Sequence, residues 1–353
     1  MNTAPHKIVV FCLSGIGNTI LFTPTLRILR EKFPKTKITA VFQNSATAEV
    51  MRGSLSVDEI IVFNGSFFKK LKLLFHLRNQ KFDISITAFP SNRIEFNLFS
   101  WLVNAKTRIT HSYNVGQIRT LSFLQNKKIK ADEKLHDVIQ NLNLLELMNI
   151  DSKKEKIRLF FHLEKKDRLF AKGFFIKNKL VGKKVIAIHP GTKKKDAIRR
   201  WDKEKFAELI NLLLKDKKIR IVLFKGPDEE DVADYIYEKT GKKAIMAENL
   251  NLKKVGALIE KCSVFIGTDS GLGHIAAAFG VKTLVIFGPA NPTRTIPYGE
   301  HTAYIRAKCP CSPALKYPFW STSDKIICNN NLQCLKKLYP HEIYEELKKR
   351  KWI

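Results

Sequence analysis

The sequence predicts an α/β protein, and two observations lead to this class. Short runs of branched apolar residues alternate with amphipathic stretches of helix length, and the pattern occurs twice along the 353 residues. Several apolar runs end in glycine-containing turns that open a helix, as in CLSGIGNTILFTP at 12–24. Alternation of this kind places helices on both faces of an open parallel sheet. We therefore expect two Rossmann-like domains whose parallel sheets face each other across a cleft.

The N-terminal half contains the first alternation. Apolar runs predict strands at 7–11, 37–42, 59–63 and 82–88. Helical periodicity predicts helices at 23–33, 67–79, 95–103 and 133–148. In the helix at 67–79, Phe68, Leu71 and Phe75 recur on one side and are expected to face the sheet.

A Lys-rich stretch at 151–180 precedes the second alternation and is the predicted connection between domains. It holds an extended segment at 157–163 and then an amphipathic helix. Strands are predicted at 184–189, 219–224, 264–268 and 283–287, and helices at 203–214, 228–240, 252–260, 272–279 and 340–351. The predicted domains are 1–165 and 166–335, and the helix in 336–353 is expected to pack back on the N-terminal domain.

The charge of the chain is strongly positive, with 62 Lys and Arg against 33 Asp and Glu and a net charge of +29. Such a field favours nucleic acid, an anionic membrane face or phosphorylated substrates, unless it only reflects a Lys-rich proteome. Residues 66–82, SFFKKLKLLFHLRNQKF, alternate apolar and basic residues. This segment is expected to pack on the sheet or to lie on an anionic bilayer, and the two are compatible.

No apolar run has the length of a membrane-spanning helix, and the N-terminus lacks a secretory signal pattern. The expected location is cytoplasmic, with peripheral contact to the inner membrane. Cys12 and Cys262 lie in apolar runs and are predicted to be reduced core residues. The late cysteines at 309, 311, 328 and 334 have poor spacing for zinc, so free thiols and no bound metal are predicted.

The turns after two C-terminal strands hold the residues best suited to bind an anion. Backbone N–H groups at a helix start bind anions, and hydroxyl and guanidinium groups add donors and positive charge. The residues of these turns are Gly191, Thr192, Arg199, Arg200, Asp269, Ser270, Gly271 and His274. Together they suit a diphosphate. The alternative to a binding role is a structural one, in which Asp269 is the N-cap of a helix and His274 is a histidine buried in the core.

Four stretches, in order along the chain, resemble the glycosyltransferase family 9, the ADP-heptose:lipopolysaccharide heptosyltransferases. They are SGIGNTILFTPTLRILREKFPKTKI, LHDVIQNLNLLELMNI, AIHPGTKKKDAIRRWDKEKFAEL and GTDSGLGHIAAAFGVKTLVIFGPANPTRTIPYG. The resemblance implies a GT-B fold, with the acceptor on the N-terminal domain and the nucleotide-sugar on the C-terminal one. It implies inverting transfer without metal or cofactor from an ADP-sugar, such as ADP-heptose, to an anionic glycan or glycolipid.

The resemblance also implies roles for individual residues. Thr192 and the Ser270-Gly271 amides would bind the diphosphate, Asp269 and His274 would contact sugar and phosphate, and Arg199 or Arg200 would take the place of a family Lys. Glu229 would meet the ribose, unless it is only an acid in a first helical turn. The implied acceptor-site residues are Ser14, Gly15, Gly17, Arg93 and Asn141.

Asn18 departs from the family pattern, which has a general-base Asp in this turn. An amide accepts no proton at neutral pH. The base is then elsewhere, with His136 and Asp137 as the first candidates and Asp83 and Glu95 as further ones. Alternatively Asn18 orients an acceptor whose own phosphate or carboxylate takes the proton. A third alternative is a weak or silent nucleotide-sugar-binding protein.

Two other classes of protein fit the sequence less well. A nicotinamide dehydrogenase needs a third glycine where Ile20 stands and an acid at the end of the second strand, where Gln43 and Asn44 follow Phe42. A nucleic-acid-binding protein would explain the charge, but no recognised module is present. We therefore expect no nucleic-acid partner.

Overall fold

The computed structural model describes residues 4–114, 117–227, 230–313, 328 and 330–353. It divides into two compact units, Met1–His162 and Leu163–Ile353. This division lies close to the boundary expected at 165.

The N-terminal unit is built on six parallel strands in the order β3-β2-β1-β4-β5-β6. The strands are β1 Lys7–Cys12, β2 Lys37–Phe42, β3 Glu59–Val62, β4 Ile84–Thr87, β5 Thr107–Ser112 and β6 Lys127–Lys130. The helices are α1 Ile16–Lys32, α2 Ser45–Glu49, α3 Phe67–Asn79, α4 Ile94–Val103, α5 Gln117–Thr120 and α6 Asp137–Asn143, with 3-10 turns at Ser122–Leu124 and Leu144–Met148.

Strands β5 and β6 and helix α2 were not predicted. Buried Thr110 and His111 interrupt the apolar run of β5, and their polarity hid the strand. Strand β6 is the sequence KKIK at the sheet edge, where lysines discourage pairing with another chain. The helix predicted at 133–148 is instead α6 followed by a 3-10 turn.

Helix α3 has the predicted bounds, but it presents a different face to the sheet. Leu74 and Leu77 are buried in a cluster with sheet residues such as Val41. Phe68 is 79 % exposed and Phe75 58 % exposed, so the prediction that they face the sheet is wrong. The helix is apolar on two sides, and only packing against the sheet decides which side is covered.

The C-terminal unit repeats the topology with the order β12-β11-β10-β7-β8-β9. Its strands are β7 Lys184–His189, β8 Ile219–Phe224, β9 Ile245–Ala247, β10 Val264–Thr268, β11 Lys282–Ile286 and β12 Thr302–Ile305. Its helices are α7 Lys165–Lys177, α8 Lys203–Leu213, α9 Glu230–Lys239, α10 Leu252–Glu260, α11 Gly271–Ala278, α12 Pro292–Thr295, α13 Gln333–Lys336 and α14 Pro340–Lys349, with a 3-10 turn at Lys194–Arg199. The predicted α/β class with two Rossmann-like parallel sheets is confirmed.

The terminal helix α14 belongs to the C-terminal unit. It packs on α8, and its Ile343 and Leu347 are fully buried in one cluster with Phe206. The indole N–H of Trp201 donates to the carbonyl of Leu338 over 3.2 Å and holds the preceding turn. The apolar face of the helix is thus buried within its own unit, and packing of the helix on the N-terminal domain stays a prediction.

Across the described ranges, the structure has no helix both long enough and apolar enough to cross a bilayer.

Candidate active site

Each unit has one topological switch point, where the strand order reverses. Ligands of open parallel sheets bind outside the carboxyl ends of the two strands that meet there. These strands are β1 and β4 in the N-terminal unit and β7 and β10 in the C-terminal unit. Most of the predicted site residues follow one of these four strands.

The turn after β1 leaves open space in front of helix α1. Gly15 is the N-cap residue, with φ −73° and ψ 175°, and no side chain caps the helix. A Cβ atom on Gly15 would have no neighbour within 4 Å, so packing does not require a glycine here. Backbone N–H groups at such a helix start can receive a polar ligand.

Asn18 is oriented by its neighbour Ser14. Its Nδ2 donates a hydrogen bond to Oγ of Ser14 over 2.7 Å. Ser14, Gly17 and Asn18 are all partly exposed in this turn. The amide can position a substrate hydroxyl by hydrogen bonding but cannot take its proton.

Asn141 is buried, and its side chain has a structural role. Its side chain is 0 % exposed. Its Nδ2 donates to the carbonyl of Asp137 over 2.9 Å, and its Oδ1 accepts from the N–H of Phe89 over 2.8 Å. The Oδ1 end therefore holds α6 to the loop after β4, and the Nδ2 end bonds within α6 itself. This burial corrects the prediction that Asn141 contacts the acceptor.

The geometry at the start of α6 disfavours His136 and Asp137 as the general base. His136 is the N-cap, and its Nδ1 accepts from the N–H of Val138 over 3.2 Å. A neutral imidazole bonded in this way carries its proton on Nε2, so its basic nitrogen is already engaged. Asp137 is only 1 % exposed.

The two other candidate acids lie beyond opposite ends of strand β4. Asp83 precedes β4, and its carboxylate accepts from the N–H groups of His6 and Lys7 over 2.8 and 3.1 Å. Glu95 lies in the first turn of α4, beyond the carboxyl end of β4, 3.5 Å from the Arg93 guanidinium. Both side chains of this pair are partly exposed. Of the two acids, only Glu95 lies beyond the carboxyl ends of the strands, where ligands bind.

Three hydrogen bonds join the segments that follow β7 and β10. Oγ1 of Thr268 donates to the carbonyl of Gly191 over 2.7 Å. Nδ1 of His189 lies 3.1 Å from Oγ of Ser270, and the Arg199 guanidinium donates to Oδ2 of Asp269 over 3.1 Å. These bonds hold both segments of the C-terminal switch point in one arrangement.

His189 and Gly267 also lie at this switch point, although they are not among the predicted site residues. His189 is the last residue of β7, and a polar residue ending an apolar run was the available signal. A Cβ on Gly267 would lie 2.9 Å from the carbonyl oxygen of His189, so the close approach of β10 to β7 requires glycine.

Thr192 has a different partner from the one expected. It is 4 % exposed, and its hydroxyl donates to the carbonyl of Asp196 over 3.1 Å. Its own carbonyl accepts from the Arg200 guanidinium over 2.5 Å. The hydroxyl proton thus stabilises the loop after β7, and its donation to a phosphate stays a prediction.

The two adjacent arginines serve different segments. Arg199 is bonded to Asp269 after β10, whereas Arg200 is bonded within the loop after β7. Both guanidinium groups are partly exposed, so their remaining donors can reach a ligand. Burial raises the pKa of the Asp269 carboxyl, and the charge of Arg199 offsets this only in part.

The start of α11 is where the sequence predicts that an anion binds. Ser270 is the N-cap, but its side chain makes no capping hydrogen bond, and Ser270 and Gly271 are partly exposed. The first N–H groups of the helix are therefore not capped by a side chain. His274 follows one turn later and is 5 % exposed, so it lies beneath this surface. The arrangement can bind a diphosphate.

Glu229, expected at the ribose, lies outside the described residues.

The late cysteines lie close together. The sulfur atoms of Cys309 and Cys311 are 3.2 Å apart, and burial is the main cause that raises the pKa of Cys334 to about 11. Among the side chains that the structure describes, no group of three or more His, Cys, Asp and Glu is arranged to hold a metal ion.

Comparisons with known proteins agree with this architecture. The sequence model described as "Glycosyltransferase family 9 (heptosyltransferase)" matches residues 70–323. Lipooligosaccharide heptosyltransferase 2 of Campylobacter jejuni (serotype O:6, strain 81116) is 25 % identical over 349 residues, which cover 97 % of this chain and 98 % of the relative.

Two solved structures share the fold. The glycosyl transferase family 9 structure from Veillonella parvula DSM 2008 has a TM-score of 0.78 and 23 % identity and covers 98 % of this chain and 96 % of that one. The E. coli heptosyltransferase WaaC, solved with ADP-2-deoxy-2-fluoro heptose, has a TM-score of 0.71 and 18 % identity, with 98 % and 99 % covered.

Proposed function

Because the chain belongs to glycosyltransferase family 9 and is a glycosyltransferase, we propose that it moves heptose or a related sugar from an ADP-sugar to a lipopolysaccharide core or another cell-surface glycan. The observation that carries this proposal is the side-chain-uncapped start of α11, held beside the loop after β7 by three hydrogen bonds. The names of the relatives, a lipooligosaccharide heptosyltransferase and an enzyme solved with an ADP-heptose analogue, support the donor and the acceptor class.

The donor diphosphate lies against the Ser270-Gly271 amides. When the bond between sugar and phosphate breaks, negative charge grows on the departing phosphate oxygen. The helix dipole of α11 and the guanidinium groups of Arg199 and Arg200 stabilise that charge. This positive charge takes the place that a divalent cation holds in metal-dependent transfer, so the reaction proceeds without a metal.

The acceptor hydroxyl attacks from the opposite face of the sugar, which inverts the anomeric centre. Its proton passes to Glu95, the partly exposed carboxylate beyond the carboxyl end of β4. Asn18, fixed by Ser14, orients the hydroxyl. This assignment replaces His136 and Asp137, whose basic atoms are engaged or buried. Arg93 beside Glu95 is suited to an anionic group of the acceptor.

The experiment is an ADP-release assay with ADP-heptose, with and without a pool of lipopolysaccharide-core oligosaccharides. Release that depends on the acceptor supports the transferase. Arg200→Gln is expected to raise KM for the donor about tenfold or more, because a charge-assisted contact to phosphate is lost. Arg168→Gln is the matched control, since Arg168 pairs with Glu260 on the surface of the same unit. Donor binding without ADP release by any acceptor would favour the silent nucleotide-sugar-binding protein.

The proposed acceptor class also implies a location in the cell. A lipopolysaccharide core is built on a lipid anchor, so we infer that the enzyme works in the cytoplasm at the inner membrane surface.

A further inference from the structure

The positive charge of the N-terminal unit is concentrated in one segment. Residues 64–131 contain twelve Lys and Arg against two acids, Asp83 and Glu95. The other residues of the unit, Met1–His162, contain twelve basic and ten acidic residues, a net charge of only +2. Asp83 is paired with Lys106 and Glu95 with Arg93, so both acids of the segment already have a basic partner.

The same segment carries most of the exposed apolar side chains of this unit. Among the described residues up to His162, six of the eight large apolar side chains that are exposed belong to it. They are Phe68, Phe75, Ile94, Trp101, Ile118 and Phe123, which are between 43 % and 81 % exposed. Charge and exposed apolar area therefore occur together.

The fold brings these residues onto neighbouring helices. Helix α3 packs on α4, and α4 packs on α5 and on the 3-10 turn at Ser122–Leu124. The Arg78 guanidinium of α3 also donates to the carbonyl of Leu102 in α4 over 3.3 Å. These helices lie side by side, so their outer residues form one layer, which we call the α3–α5 surface.

Helical spacing places the apolar residues of α3 and α4 in rows. Phe68 and Phe75 are seven residues apart, as are Ile94 and Trp101, and seven residues bring a helix back to nearly the same side after two turns. Exposed Lys69, Lys72 and Arg78 flank the row on α3. Aromatic side chains beside lysines on an amphipathic helix are typical of segments that lie in a membrane interface.

We propose that the α3–α5 surface docks on an anionic lipid bilayer, with its aromatic side chains in the headgroup region and its basic side chains on the lipid phosphates. The occupant follows from charge complementarity, because α3, α4 and α5 together carry five Lys and Arg against one acid, Glu95, and such a surface is attracted by acidic lipids. This inference rests on the proposed function for its biological sense, since the docked face would bring the active site to a lipid-anchored acceptor.

The test is cosedimentation of the full-length protein with vesicles of phosphatidylcholine alone or with about one third phosphatidylglycerol. Binding is expected only to the anionic vesicles and is expected to weaken with added salt. The double variant Phe68→Ser/Phe75→Ser should bind at least about tenfold more weakly, because two buried aromatic side chains are lost from the interface.

Helix α7 of the other unit supplies a matched control. Leu169 and Ile176 are also seven residues apart, 57 % and 58 % exposed, and flanked by Lys165 and Lys172. Leu169→Ser/Ile176→Ser should bind vesicles like the unchanged protein. The proposal is wrong if both double variants lose vesicle binding to the same extent. It is also wrong if the unchanged protein binds neutral and anionic vesicles equally well. A third contrary result is that Phe68→Ser/Phe75→Ser weakens self-association of the protein and leaves its vesicle binding unchanged.

A second readout separates this proposal from the proposed function. With a lipid-free core oligosaccharide, Phe68→Ser/Phe75→Ser should release ADP at the rate of the unchanged protein, and its circular dichroism should match. Vesicle binding without any ADP release would leave the docking surface standing and reject the transferase. Normal ADP release without vesicle binding would support the transferase and reject the docking surface.

Discussion

The side-chain amide of Asn18 donates a hydrogen bond to the hydroxyl oxygen of Ser14 over 2.7 Å in the turn after β1. The hydroxyl of Ser14 can also act as a donor, so the same pair can accommodate a carboxylate with the direction of the bond reversed. The turn is therefore compatible with Asp at position 18, although this chain has Asn. If the acceptor hydroxyl lies at this turn, its proton must go to a group outside it.

Glu95→Gln is predicted to lower kcat by about 10²-fold or more, with little change in KM for the donor, because the group that takes the acceptor proton is removed. The ion pair of Glu95 with Arg93 is partly exposed, so its loss should hardly affect stability. Initial rates of ADP release at saturating acceptor measure the effect.

His136→Ala is the comparison for that prediction. It removes an N-cap and should lower the free energy of unfolding by about 1 kcal/mol while kcat stays within a few-fold. A large fall in kcat for His136→Ala and none for Glu95→Gln would return the base to the start of α6.

Asn18→Asp is predicted to restore activity to the Glu95→Gln variant. The new carboxylate can accept from Ser14 and from the substrate hydroxyl, and it supplies the basicity that the Glu95→Gln substitution removes. The rescued rate should fall as the pH drops through the range in which an Asp is protonated. The measurement is the pH profile of kcat for the single and double variants, with Asn18→Ala in the same background giving no rescue.

Asp269→Asn is predicted to change the pH dependence of stability. Burial raises the pKa of Asp269 in the folded protein. Between the unfolded pKa, about 4, and the raised folded pKa, the native state therefore holds a proton that the unfolded chain has released. The stabilisation from that proton is complete below the unfolded pKa and is lost as pH rises through the folded pKa. Asn at this position has no proton to lose, so the variant should gain stability relative to the unchanged protein as pH rises.

Urea unfolding between about pH 4 and 7 checks this prediction. Asp234→Asn, at an exposed carboxylate paired with Lys225, is the control and should not reproduce the trend. A difference between Asp269→Asn and the unchanged protein that does not vary with pH would contradict it. Where the Asp269 carboxyl is ionised, donor KM should also rise in Asp269→Asn, because Arg199 loses the negative charge of the partner that positions it.

Gly15→Ala is predicted to fold normally and to lose activity. The backbone angles of Gly15 suit any residue, and the new Cβ meets nothing within 4 Å, so unfolding free energy should change by less than about 1 kcal/mol. The methyl group would instead occupy the space in front of α1, and KM for the acceptor should rise. Thermal unfolding and acceptor titrations measure the two effects.

Gly267→Ala should behave in the opposite way. Its Cβ would lie 2.9 Å from the backbone oxygen of His189, so β10 and β7 must separate, at a cost of about 1–3 kcal/mol. If Gly15→Ala were as destabilising as Gly267→Ala, glycine at position 15 would serve packing rather than substrate approach.

The repeated alternation of apolar runs and amphipathic helices determined the fold class. Buried parallel strands such as β7, β8 and β10 are continuous apolar runs, and their bounds could be predicted to the residue. Strands β5 and β6 could not, because buried threonines and edge lysines look polar in sequence. Motif spacing likewise located the turns at Ser14, Gly191 and Ser270.

Tertiary structure decided what each side chain does. Asn141, His136 and Thr192 all have polar groups suited to a substrate, and only their hydrogen bonds within the protein show that these groups are already engaged. The outward face of α3 was decided in the same way, because the sheet can cover one apolar side of a helix and leaves the other to the solvent or a membrane. A sequence lists the donors, acceptors and apolar groups of a chain, but which of them meet depends on residues far apart along it.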